Sequence, residues 1–451
     1  MNSNFKIVII ILCICIIGVS GYIMYDKNLK IEATPVNVNQ PIDEPGIVKS
    51  NDFNYNLILN HNAIVEKNKN YLISPYSIEI ALNMLRDGAS GDTKNEIEKT
   101  IGLRKINNVF IKDRVNVANS IFMNNTYEKD VLSTYKDNLK NNYDAELFTY
   151  KYDELVPKIN SWVNKKTNGM INKILNSNDV DENFVLGLLN ALTIDVEWLD
   201  EFSCDSTISE EFTKINGTKI NVEMMHQRGY KYIKESDLEG IVLPYKKYDD
   251  SNVELEFVGL IPKGNLDDYI NNNLEKDMEN LSNLVKIPID TDLKEQIVNL
   301  SLPRFTYDYE IKKEDNKDLF KNLLENMGIK KAFIPAKYYG DKDAAEFENM
   351  VDIKSMILKD PSTTGIHISK SIHKTHIELM EKGTKAAAVT YFGMVKDTGM
   401  APIIKEYEYI NIKFNKPFIY MIREKNTNEM LFFGVVYEPN LWKGSTCSNN
   451  K

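Results

Sequence analysis

The chain has 451 residues, 43% of them hydrophobic, and a formal net charge of −10. That is ample material for a large core, carries no signature of disorder, and by length alone suggests about two or three domains. The acidic balance, with Lys and Arg interspersed, argues against a nucleic-acid binder, which shows a basic surface.

The first feature along the chain is "IVIIILCICIIGVSGYIM", a nearly uninterrupted apolar run from Ile7 to Met24. It reads as a secretory signal peptide or as an uncleaved membrane anchor occupying residues 1–25. Both readings make the body extracellular, either secreted or tethered to a membrane. Residues 26–50 carry three prolines and few large apolar residues, the composition of an extended linker. Of the four cysteines, Cys13 and Cys15 lie in the apolar run, which leaves Cys204 and Cys447 in the body. That spacing predicts neither a disulfide framework nor a CxxC metal site.

The folded body is expected over residues 51–440, followed by a polar tail at 441–451. In its first half, "NDFNYNLILNHNAIVEKN" has apolar residues three and four apart after an Asn/Asp start. "SPYSIEIALNMLRDGA" opens with Ser-Pro and closes at Gly, so both read as helices. The second half is richer in strands: "LEGIVLPYK", "VELEFVGLIPKG", "IVNLSLPRFTYDYEI", "THIELM", "YINIKFNKPFIYMIRE" and "MLFFGVVYEP" alternate or form short β-branched and aromatic runs. "REKNTNEMLFFG" reads as a hairpin. With no internal repeat and no Pro/Gly-rich linker inside the body, these elements predict one large α+β domain.

The common enzyme motifs fail. There is no GxSxG, HExxH or GxxxxGK[ST], and no acid–base carboxylate pair stands out. His373 and His376 are three apart, which on a strand puts them on opposite faces and makes a poor metal pair. No cofactor and no metal are implied. Asn124, Asn216, Asn280 and Asn299 begin N-x-[ST] triplets, which are glycan acceptors only in a host that modifies them.

Five blocks, in order, carry a resemblance. They are "ISPYSIEIALNMLRDGASGDTKNEIEKTIG", "NALTIDVEWLDEF", "LPRF", "ISKSIHKTHIELMEKGTKAAA" and "IKFNKPFIYMI". Together they resemble the serpin family across nearly the whole body. The resemblance implies a single domain of about nine helices and three sheets, with an exposed reactive-centre loop near the C-terminus. It implies a suicide-substrate inhibitor: a target protease, serine-type by expectation, cleaves the loop, which inserts as a strand into the main sheet and traps the covalent acyl-enzyme. It implies no catalytic residue, a monomer, and no nucleic-acid partner. Ser74, Ser77, Asn190 and His373 match the family's polar cluster beneath the main sheet, and Trp198 matches the top of that sheet, where insertion starts.

The hinge is implied at Glu381, Lys382, Gly383, Thr384, Ala386, Ala387, Ala388 and Thr390. By its letters alone this stretch reads as an Ala-rich strand or helix; between the flanking blocks it reads as a loop that becomes a strand. Thr384, Ala386, Ala388, Thr390, Phe392 and Met394 share one uncharged face, while Lys385 falls on the other. Lys385 stands where the family often has Glu. Family spacing from Glu381 puts the scissile bond at Asp397–Thr398, which suits a protease with a basic specificity pocket. One residue earlier, Lys396–Asp397 suits a trypsin-like enzyme, and Met394 or Met400 would suit chymotrypsin- or subtilisin-like enzymes. The alternative is a non-inhibitory serpin acting as a binding or chaperone-like extracellular protein. Charge or bulk on the hinge's insertion face would favour that alternative, and none is present.

Overall fold

The computed structural model describes residues 50–229, 231–248, 251–311, 313–314, 317–384 and 406–439. The apolar run, the linker before Ser50, the polar tail and loop residues 385–405 lie outside them. Among the described residues no helix is long and apolar enough to cross a membrane. The chain divides into two compact units, Met1–Ile47 and Val48–Lys451, and every described residue belongs to the second.

Ten α-helices occur among the described residues. Helix α1 (Ser50–Ile64) occupies the first expected helical segment. Helix α2 (Pro75–Gly88) starts as its sequence predicts: Ser74 is extended, its Oγ accepts the Ser77 amide at 3.2 Å, and Pro75 sits where an N–H would have no partner. Helix α3 (Gly91–Ile101) follows it closely.

A six-stranded antiparallel sheet fills the centre of the core. It comprises β1 (Tyr71–Ile73), β8 (Tyr232–Lys234), β9 (Leu238–Pro244), β10 (Leu255–Pro262), β18 (Phe418–Glu424) and β19 (Met430–Val436), in the order β1-β19-β18-β10-β9-β8. Strands β10 and β19 are buried along their whole length, so they read as continuous apolar runs rather than alternating ones. The expected hairpin is β18–β19. Tyr420 pairs with Gly259 on one side and Gly434 on the other, and a Cβ on Gly434 would lie 2.3 Å from the Tyr420 ring.

A second sheet runs β17-β11-β7-β6, from β6 (Ile208–Thr213), β7 (Lys219–Gly229), β11 (Lys294–Pro303) and β17 (Glu406–Lys413), with β17 parallel to β11. The segment "IVNLSLPRFTYDYEI" is two strands in two sheets: β11 stops at Pro303, and β12 (Phe305–Glu310) begins after Arg304. Pro303 has no N–H to offer a ladder, and the Arg304 amide donates back to Glu223 O at 3.0 Å.

The main sheet comes in two parts. One is β3-β2-β4, from β2 (Val115–Asn124), β3 (Glu146–Tyr150) and β4 (Leu186–Ile194). The other is β12-β15-β16-β5, from β5 (Val196–Glu197), β15 (Lys374–Met380) and β16 (Gly383–Thr384). Strand β4 leads through Asp195 directly into β5, so the parts share one chain trace. A short hairpin, β13 (Lys313–Glu314) with β14 (Lys317–Asp318), completes the strands. Helix α4 (Ser133–Tyr143) precedes β3, and helix α5 (Tyr152–Lys166) packs Leu155, Ile159 and Trp162 against Phe122 and Ala191 on the sheet's other face. The α+β single-domain expectation holds.

One reading needs correcting. Cys204 is disulfide-bonded, although the cysteine spacing predicted no disulfide framework. Pairing depends on which residues the fold brings together, which spacing does not record. Among the N-x-[ST] positions, Asn124 is buried and its Nδ2 donates to Glu182 O at 3.2 Å, so it cannot take a glycan in this fold.

Candidate functional site

Strand β16 holds the last two residues described before the loop. Gly383 pairs with Met380 on β15 and Glu197 on β5, and Thr384 pairs with Leu379 and Val196. Two residues of the expected hinge therefore already lie between the two strands, at the top of the main sheet. Gly383 has φ of 150°, and a Cβ there would lie 2.1 Å from Val196 O. Only glycine fits this close backbone approach.

Trp198 anchors β16. Its amide donates to Lys382 O at 2.8 Å and its Nε1 donates to Met380 O at 2.9 Å. Its ring stacks on Tyr245 at 4.6 Å, and the Tyr245 hydroxyl is 3.0 Å from Thr384 Oγ1. Burial pushes the Tyr245 hydroxyl's pKa up, so it stays protonated and can donate. The Glu381 carboxylate is buried; its Oε1 accepts from Thr207 Oγ1 at 2.8 Å and faces Arg304 Nη1 at 3.3 Å. The Phe202 amide donates to Glu381 O at 2.8 Å. Sequence reading singled out Trp198 and Glu381 but missed Thr207, Tyr245 and Arg304 as their partners. Buried Arg beside buried Glu is a signal only when the fold has placed them together.

Below Thr384 no strand lies between β4 and β15 among the described residues. A cleft opens there, lined by Ser77, Asn190, Ile194, His373, Thr375 and Ile377. Its floor is the first turn of α2. The Ser74 amide donates to His373 Nε2 at 3.1 Å, just ahead of β15. Ser77 Oγ donates to Asn190 Oδ1 on β4. Asn190 Nδ2 then donates to Asn119 Oδ1 on β2 at 2.8 Å, and Asn119 Nδ2 to Tyr143 O at 2.8 Å. The first turn of α2 thus bridges the two sides of the gap through polar contacts, while the rest of the helix buries Ile78, Leu82 and Met84 in the core. Burial lowers the His373 pKa to about 4, so the ring is neutral and its Nε2 is free to accept.

Ser74, Ser77, Asn190 and His373 are brought together at one level of the cleft, with Asn119 as a member the sequence did not reveal. Trp198, Glu381, Lys382, Gly383 and Thr384 meet at the level above. Ala386, Ala387, Ala388, Thr390, Lys396, Asp397 and Thr398 lie outside the described residues.

The model of the family described as Serpin (serine protease inhibitor) matches residues 49–439. The chain is a serpin. Human neuroserpin is 28% identical over 401 residues, covering 83% of this chain and 87% of that protein. An uncharacterized serpin-like protein of Thermococcus kodakarensis is 26% identical, covering 88% of this chain and 86% of that one. The native-state crystal structure of the thermophilic serpin tengpin superposes with a TM-score of 0.67 at 30% identity, covering 88% of this chain and 97% of that one. Serpins are for the most part protease inhibitors rather than catalysts, and the family also includes non-inhibitory members.

Proposed function

We propose that this serpin inhibits a protease as a suicide substrate, with residues 385–405 carrying the bait and the cleft between β4 and β15 receiving the cleaved loop. The observation that supports this is the pairing of Gly383 and Thr384 as a strand at the head of a position that no strand occupies among the described residues. Continuing the β15 register downward brings Ala386 opposite Ile377, Ala388 opposite Thr375 and Thr390 level with His373. Thr375 and Ile377 are buried, so the small uncharged face of the loop meets the core, as strand alternation requires.

The same register explains the family departure at Lys385. It comes opposite Glu378, on the outer face of β15, so an attractive pair replaces a charge that would otherwise be repelled. The scissile bond remains Asp397–Thr398, with the Lys396–Asp397 register next. The body is extracellular in this reading, delivered or tethered by residues 1–25.

The chain should be incubated with trypsin-, chymotrypsin-, subtilisin- and Asp-specific proteases. A complex that survives boiling on a denaturing gel, with the cut mapped by mass spectrometry, is expected. Cleavage without complex across the panel, and no rise in melting temperature afterwards, would give the non-inhibitory reading instead.

A further inference from the structure

Three charged side chains from distant parts of the chain meet below the surface. Glu79 lies on α2, Arg104 stands shortly after α3, and Glu429 is the residue before β19. The side chains of Glu79 and Glu429 are 1% and 2% exposed, and that of Arg104 is 13% exposed. The guanidinium takes both carboxylates. Its Nη1 donates to Glu429 Oε1, and its Nη2 donates to Glu429 Oε2 at 2.8 Å and to Glu79 Oε2.

The two carboxylates are unequally served. Glu429 Oε1 also accepts from the Asn107 amide and from Asn107 Nδ2, each at 3.0 Å. Glu79 has only the bond from Arg104; its Oε1 is buried and has no hydrogen-bond partner among the described residues. The charged groups acting on Glu79 are Arg104 and Glu429. The neighbouring titratable group is Tyr76, whose hydroxyl donates to Asn107 O at 3.0 Å. With both carboxylates ionised, the cluster would bury two negative charges against one positive. One proton makes it neutral, and Glu79 is where it belongs, because a buried carboxylate with a single donor is less stable than a neutral acid. Burial raises the Glu79 pKa to about 7; Arg104 opposes that shift and Glu429 adds to it.

We propose that Glu79, Arg104 and Glu429 form a proton-linked lock: one proton held by the carboxylate pair lets α2 close on the β18–β19 hairpin, and its loss to solvent loosens that contact. The helix so held is the one that bridges the cleft. Ser77, two residues before Glu79, bonds Asn190 on β4, and the Ser74 amide bonds His373. The lock therefore ties the floor of the cleft to the six-stranded sheet. Its direction follows from linkage. The folded pKa near 7 lies above the ordinary 4.5, so the contribution is present in full below pH 4.5 and is gone above about pH 7. Between those limits it declines about tenfold in the folding constant per pH unit.

The test is Glu79→Gln in the full chain, which fixes a neutral side chain of the same length. Infrared difference spectra should show a protonated-carboxyl band that the unaltered chain loses near neutral pH and that the variant lacks. Between about pH 5 and about pH 7.5 the unaltered chain should lose at least about tenfold in folding constant relative to the variant, read from urea denaturation. Comparing the two chains cancels the buried histidines, which are common to both. A second variant, Glu429→Gln, removes the other negative charge and should move the band's midpoint down by about one pH unit. It keeps the proposal testable should Glu79→Gln fail to fold. A missing band, a band unmoved by Glu429→Gln, or equal pH dependence in the unaltered chain and Glu79→Gln would each overturn the lock and leave the cluster a fixed ion pair.

Discussion

Two residues show how the fold gives a common residue its reason. At Gly383 the sequence offers a glycine in a turn, which is common; the reason for it is Val196 O, a partner 187 positions earlier in the chain. At His373 the sequence offers a histidine before a strand, and its chemistry comes from full burial under the sheet. Its folded pKa of about 4 lies below the ordinary 6.5, so the unfolded state binds the proton more readily. Its stabilising contribution is present in full above pH 6.5, declines as pH falls toward 4, and amounts to about 3 kcal/mol over that window. His61, also buried and lowered to about 3 by desolvation and then by His373, acts in the same direction. His376 acts oppositely: burial lowers its pKa, but bonds to Glu378 and Asp308 outweigh this and raise it, so its contribution is present at low pH and lost as pH rises. Denaturation midpoints at pH 7 and pH 4.5 should therefore differ less in His373→Gln than in the unaltered chain. An equal acid sensitivity would remove His373 from the account.

At the scale of elements, the main sheet is braced by its neighbours as well as by its own strands. Helix α5 and the connection after it lie across β4 and β15. Lys374 Nζ donates to Lys173 O at 3.0 Å and Lys370 pairs with Asp179 at 2.9 Å, so the connection is strapped to the β15 side. A strand entering the cleft has to slide under these straps. Its register can be checked by charge. Lys385→Glu should place like charges on the outer face of β15, slow insertion and raise the stoichiometry of inhibition. Adding Glu378→Lys should restore it, with a coupling on the order of 0.5–1 kcal/mol at this exposed face. Absence of rescue, measured as the ratio of complex to cleaved chain, would mean that the loop enters in another register. The strands themselves were legible where one face is wet, as in "KTHIELM". The break between β11 and β12 was not, because Pro303 is the only turn signal between them and the change of hydrogen-bonding partner at Arg304 divides them.

For the whole molecule, burial is unevenly shared between the sheets. The six-stranded sheet has β10 and β19 wholly buried. The upper end of the main sheet is held by Trp198, Arg304 and Thr207; Cys204, in the turn between Phe202 and Thr207, is disulfide-bonded, and both ends of that turn bond Glu381. Removing that cross-link with Cys204→Ser should lower the stability of the uncleaved chain by about 2–4 kcal/mol and speed spontaneous loss of inhibitory activity on warming. Unchanged melting and unchanged decay would show that the turn keeps its grip on Glu381 unaided.

Local chemistry by itself determined the helix at Pro75, the hairpin before Met430, the alternating strand at Lys374 and the small uncharged face that begins at Thr384. Ordered motifs added the family and the positions to examine, Ser74, Asn190, Trp198 and His373 among them. These follow from period, capping and spacing, which are properties of neighbours in the chain. Only the tertiary structure decided that Gly383 and Thr384 already stand between β15 and β5, that Arg304 and Thr207 hold Glu381, and that Asn119 completes the polar bridge. Each joins residues far apart in the chain. Such contacts are chosen by the burial and hydrogen bonding of the assembled sheets, which local sequence does not encode.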